Sequence, residues 1–309
     1  MRTNRFLPTI AFVVVACVSC SGGGDDGKSA DPGGNVRPPA SIPPVTVADP
    51  VTGIVGDYAL PLDAYMTTPD QIRDLDNAAI TLQNDCLQRF GFTGRIPLKG
   101  DAPTFLSKIN PGRFGPTDPA EAQTSGYHSP RTRAPRPAPP GGVPLTEAET
   151  ALIGGTGPKE IGGTPVPEGG CLREAKRKLA EGGPPEPADP SFARNLAARL
   201  LGPVSQDARL VAAQTRWSTC MKTAGYTYKD TTEAMTDPKW TTATPTGQEI
   251  QTAVADARCK KETNLSDTGI AVWTAYEQQA VEQHAEELTA YKAWLANSTR
   301  NAARVLAGR

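Results

Sequence analysis

Six cysteines and two histidines are the side chains of this 309-residue chain best suited to bond metals, lipids or one another. Cys17 and Cys20 stand near the start, while Cys86, Cys171, Cys220 and Cys259 are spread over the remainder. Outside the cytosol such widely spaced cysteines pair as disulfides, although four cysteines do not by themselves fix the connectivity. A zinc site would need closer ligands, as in Cys-x-x-Cys, and histidine partners. That spacing does not occur, so neither a metal nor a cofactor is expected. His128 lies in a Pro-rich stretch and reads as a surface residue. His284 and Glu287, three apart on a helix, read as a solvated or interface pair, because two ligands do not make a metal site.

Two other catalytic signatures are missing. There is no GxSxG elbow or HExxH, no catalytic residue is assigned, and the chain reads as a non-enzyme. Neighbouring carboxylates such as Glu286 and Glu287 are ordinary helix-surface charge. A glycosidase needs only two carboxylates at a set separation, so an envelope hydrolase is kept as the least favoured reading. Of the four tryptophans, Trp217 and Trp273 fall on apolar faces and read as core. Trp240, in TDPKWTT, reads as an exposed ring and is the expected ligand-binding residue.

The start of the chain says where the protein resides. Arg2 and Arg5 form a positive n-region before an apolar stretch from Phe6 to Ala16, the arrangement of a secretory signal. The stretch is too short for the ~20 residues of a spanning helix. Val14, Val15, Ala16 and Cys17 resemble the lipobox of bacterial lipoproteins, whose cysteine is lipidated and becomes the first mature residue. Cys20 is the alternative, with a cysteine where an aliphatic residue belongs. A diacylglycerol thioether plus an N-acyl chain such as palmitate would supply the two chains that stable membrane anchoring requires.

Composition narrows the partners. Loss of Arg2 and Arg5 leaves 30 basic against 33 acidic residues, a net charge of −3, which is no nucleic-acid footprint. Aromatics are 6% of the chain and mean hydropathy is −0.39, so the core is small for the length. Residues 21–56 are rich in Gly, Asp and Pro without an apolar face and read as a disordered tether, with a reach of roughly 30 Å over its first thirty residues. The organisation expected is a signal and anchor region at 1–20, the tether at 21–56, and an extracytoplasmic body at 57–309.

That body reads as mainly α. Thr68, Pro69 and Gln71 form a capping box, and Ile72, Leu75, Ala79, Leu82 and Cys86 then make one apolar stripe ending at Gly91. Between Gly100 and Pro190 lie 17 of the 30 prolines, which rules out regular structure for most of this insertion. Helical islands remain at Pro119 to Gln123 and in GGCLREAKRKLAEGG, while Arg131, Arg133 and Arg136 occupy an exposed loop. Helices are expected from Ser205 to Ala224 and from Gln248 to Lys261. A further long helix, capped by Ser266 and Asp267, runs to Ala307 and breaks at Asn297 to Thr299. Such a length, with a near-heptad stripe of Val281, His284, Leu288, Tyr291, Leu295, Ala302 and Val305, must lie along several shorter helices, pair with a partner as a docking or self-association face, or break.

An internal echo links two cysteines. Cys86-Leu-Gln-Arg-Phe-Gly-Phe-Thr and Cys220-Met-Lys-Thr-Ala-Gly-Tyr-Thr align in Cys, Gly, aromatic and Thr, and a second cysteine follows each. The pattern suggests two halves with the pairs Cys86–Cys171 and Cys220–Cys259, although chance similarity of helix ends also accounts for it.

DYALPLDAYM, CLQRFGF, FGPTDPAEAQTSGYH, VPEGGCLREA, RWSTCMKTAGY and AVADARCKKETNL together resemble a family of uncharacterised secreted or lipid-anchored proteins of high-GC actinobacteria. The resemblance implies localisation and disulfides and carries no catalytic residue. The function expected is a structural or protein-interaction component of the envelope, held to the membrane by its lipid. The alternative is a binding module for a cell-wall glycan or small ligand.

Overall fold

The computed structural model describes residues 37–42, 58–100, 113–128 and 143–308. Cys17, Cys20, most of the tether and the arginines at 131, 133 and 136 lie outside these. The described body is mainly helical, as the periodicity predicts. A 3-10 turn at Pro61–Tyr65 leads into α1 (Pro69–Arg89), α2 (Pro119–Ser125) and α3 (Glu147–Gly154). A minimal antiparallel hairpin pairs β1 (Glu160–Ile161) with β2 (Thr164–Pro165). Then follow α4 (Gly170–Ala180), α5 (Phe192–Ser205), α6 (Ala208–Thr223), α7 (Thr231–Met235), α8 (Gly247–Thr263), α9 (Leu265–Gln283) and α10 (Ala285–Ala307).

Apolar stripes sort these helices into two packed groups. Leu196, Leu200 and Val204 of α5, Leu210, Trp217 and Met221 of α6, Val272 and Tyr276 of α9, and Leu288, Tyr291 and Leu295 of α10 form the main core. A second group joins α1, α3, α4 and the far half of α10 through Cys86, Leu87, Leu152 and Cys171 and through Ala78, Leu179 and Ala302. Helix α10 belongs to both. Its heptad-like stripe thus lies along several shorter helices of the chain itself, the first of the three alternatives, and the docking alternative is corrected for this face. Ile42, inside the expected tether, also packs on the main core.

The disulfides join Cys86 to Cys171 and Cys220 to Cys259, with Cα separations of 5.7 and 5.6 Å. Each ties the last turn of one helix to another helix. Gly91 (φ +82°) and Gly225 (φ +92°) follow them in the left-handed region. Phe92 N–H bonds back to Leu87 O, and Tyr226 N–H to Met221 O, so both echo segments close as Schellman-type caps. Closing loops of 85 and 39 residues stabilises by about 4 to 5 kcal/mol per bridge in the loop-entropy model.

Three local expectations are corrected. Helix α3, inside the Pro-rich insertion, is capped by the Thr146–Glu149 box. The long C-terminal helix breaks at His284 (φ −121°, ψ 28°), not at Asn297 to Thr299. Asn297 and Asn301 instead face inward, and their amides donate to the carbonyls of Leu179, Ala180 and Glu181. They thus satisfy acceptors left over at the C-terminus of α4. Finally, α9 is entered through Asn264 in the left-handed conformation (φ 58°), without a capping bond from Ser266 or Asp267.

Candidate functional site

Helix α8 positions the polar chemistry of the molecule. Thr246 and Glu249 form its capping box, and Glu249 is fully buried because it also reaches a distant segment. Its Oε1 accepts from Tyr127 N–H at 2.8 Å and faces His128 Nδ1 at 2.7 Å. A Cβ on Gly126 would collide with this carboxylate, so glycine permits the approach. His128 Nε2 meets Thr242 O at 2.8 Å. Since a carbonyl only accepts, Nε2 carries hydrogen, and both ring nitrogens are engaged within the fold. The expected surface histidine is therefore buried, drawn in by a carboxylate that the Pro-rich context does not reveal. With Nδ1 on Glu249 and Nε2 on Thr242 O, the His–Glu pair clamps residues 127–128 to α8 and to the loop before it.

Two turns further along α8, Asp256 and Lys260 form a buried ion pair at 2.7 Å. Asp256 Oδ1 accepts from the Trp217 indole at 2.8 Å, and Lys260 Nζ also donates to Pro116 O at 3.2 Å. Burial pushes the Asp256 carboxyl up and the Lys260 ammonium down, while their contact opposes both shifts. Such a pair is tolerated because each charge keeps hydrogen-bonding partners. Gly115 admits Lys260 and Met235 where a side chain would clash. The two clamps together hold residues 113–128 against α8.

Beside this spine is an open groove of about 620 Å³. Its walls are Gly225 to Tyr228 after α6, Glu233, Thr236 and Asp237 to Lys239 around α7, and Gln248 and Thr252 of α8. The walls are braced from behind. The Cys220–Cys259 bridge fixes the end of α6, Ser218 Oγ donates to Tyr228 O, and Tyr228 Oη donates to Asp237 Oδ2 at 2.9 Å. The backbone N–H of Lys239, above all, holds the Asp237 carboxyl below its usual range. Burial first, then the Asp237 contact, pushes the Tyr228 phenol up, so it stays protonated.

Trp240 does not offer an exposed ring. It is 8% exposed, stacks on Tyr127 at 5.8 Å and donates its indole N–H to Ala234 O at 2.8 Å. The one-turn helix at Pro238–Trp240 folds it under the groove as packing. Trp217 and Trp273 are core, as expected. His284 and Glu287 lie 3.8 Å apart at the surface, and among the described residues no group of three metal-ligating side chains converges. The groove residues went unread because the Gly-Tyr-Thr-Tyr run after α6 registers only as a helix end. Its alternate tyrosines were the available signal.

Among the described residues no helix is long and apolar enough to cross a membrane. The two disulfides point to an oxidising, extracytoplasmic setting. Comparison with family models, curated proteins and solved structures finds no match for this chain.

Proposed function

We propose that the protein is a lipid-anchored interaction component of the cell envelope, which docks another envelope constituent in the groove beside α8 and performs no bond chemistry. The observation that carries this reading is the groove itself, with a volume typical of ligand sites and walls fixed by a disulfide and part-buried hydrogen bonds. Fixed walls favour binding because little order has to be created when the partner arrives. The buried His128–Glu249 pair has the composition of an acid–base dyad, yet its ring nitrogens are occupied by the fold, which favours recognition over catalysis. The signal ending at Cys17, with Cys20 as alternative, supplies the anchor.

Two measurements test the proposal. Intact mass of membrane-extracted protein is expected to correspond to a chain starting at acylated Cys17, whereas a soluble, unacylated chain contradicts the anchor. Thr227→Trp fills the groove from an exposed position. The full mature chain is expected to be retained on purified envelope fragments and the variant to be released at least tenfold more readily. Equal retention contradicts docking in the groove.

A further inference from the structure

We infer that the groove takes a neutral, polyhydroxylated chain, a glycan strand rather than an anionic polymer or a peptide. This rests on the docking reading above and comes from how the lining groups have already spent their hydrogens. Thr252 Oγ1 donates to Gln248 O at 2.8 Å and Thr236 Oγ1 to Thr232 O at 2.8 Å, both back into their own helices. Tyr228 has given its phenolic hydrogen to Asp237. The exposed Thr236 and half-buried Tyr228 oxygens keep only acceptor capacity for a ligand, while Thr252, 1% exposed, is part of the floor. Glu233 and Asp237 add carboxylate acceptors. On the donor side stand the exposed Gln248 amide, the Thr227 hydroxyl and Lys239.

Charge narrows the choice further. Lys239 is paired with Asp237 at 3.2 Å, and Glu233 takes the Lys229 backbone N–H at 2.7 Å. With two carboxylates against one ammonium, the lining repels phosphate or carboxylate polymers, which would also bring only further acceptors. A peptide carries one donor per residue on its backbone. A sugar unit carries several hydroxyl donors around an apolar ring face, which suits an acceptor-rich wall carrying the half-buried rings of Tyr226 and Tyr228. The rigid loop holds these groups in register before binding.

The test titrates the full mature chain with chitohexaose, maltohexaose, inorganic phosphate and a pentaglycine peptide, followed by amide NMR. A neutral oligosaccharide is expected to shift, saturably, the amides of residues 225–239 and 248–252, and phosphate and peptide to leave them unmoved. Thr236→Val, which keeps the shape and removes one exposed acceptor, is expected to weaken the binding about tenfold, and Gln248→Ala, on the rim, by a similar factor. Saturable binding of phosphate or peptide, or no response to either sugar, overturns the glycan assignment. If the sugars fail while Thr227→Trp still releases the protein from envelope fragments, the ligand class falls and the docking reading stands. If retention is also unchanged, both fall.

Discussion

Glu277 shows how a single residue ties the start of the body to its core. It is buried in α9, and its Oε2 accepts the Leu62 backbone N–H at 2.8 Å. Burial is the main reason its carboxyl is pushed up from 4.5 to about 7, with the nearby Asp63 adding to the shift while the Leu62 bond and Arg113 oppose it. Between these two values the folded protein holds a proton that the unfolded chain has released. The stability this contributes is complete below pH 4.5 and is lost as pH rises through about 7. Glu277→Gln keeps the acceptor for Leu62 and is expected to flatten that slope, which cannot exceed about 1.4 kcal/mol per pH unit for one proton. Urea titrations across the window check it, and an unchanged slope would assign the pH dependence elsewhere. None of this was legible in the sequence, where Glu277 is one more polar position of a long helix. The same holds for His128, whose partners lie more than a hundred residues away, and for Trp240, which is covered by the distant Tyr127 as well as by a local turn.

At the scale of elements, local chemistry was readable and tertiary exceptions were not. The Thr68–Gln71 box and the stripe ending at Cys86 gave α1 nearly to the residue, because both signals act within a few turns. Helix α5 was missed although Leu196, Leu200 and Val204 recur at four, since Pro203 and the preceding Pro-rich stretch argue against a helix. Asn297 and Ser298 looked like a break because polar residues on an apolar stripe usually face water. Here Asn297 and Asn301 cap a neighbouring helix, so the stripe continues. The element whose attachment is most exposed to test is the 113–128 segment on α8. Lys260→Met leaves Asp256 buried without its countercharge and is expected to cost about 3 to 5 kcal/mol. Adding Asp256→Asn, which still accepts from Trp217, should recover a large part of that loss. Denaturation midpoints of the two variants decide it. Equal destabilisation would mean that packing, and not charge burial, secures the segment.

For the whole molecule, the cysteine echo proved the most informative long-range signal. It anticipated both bridges and the two glycine-terminated caps, because a disulfide converts a local helix end into a distant contact. The polar, Pro-rich composition implies a modest core, which the two bridges reinforce. It said nothing of where that framework would leave a groove, since the groove is made by segments that meet only in the fold. The central claim is that this groove is the docking surface of an anchored envelope protein. Hydrogen–deuterium exchange of the full mature chain, with and without purified envelope fragments, tests it most directly. The account predicts slowed exchange confined to residues 225–239 and the start of α8. Protection elsewhere with none at these residues, or none at all under conditions of retention, would contradict it.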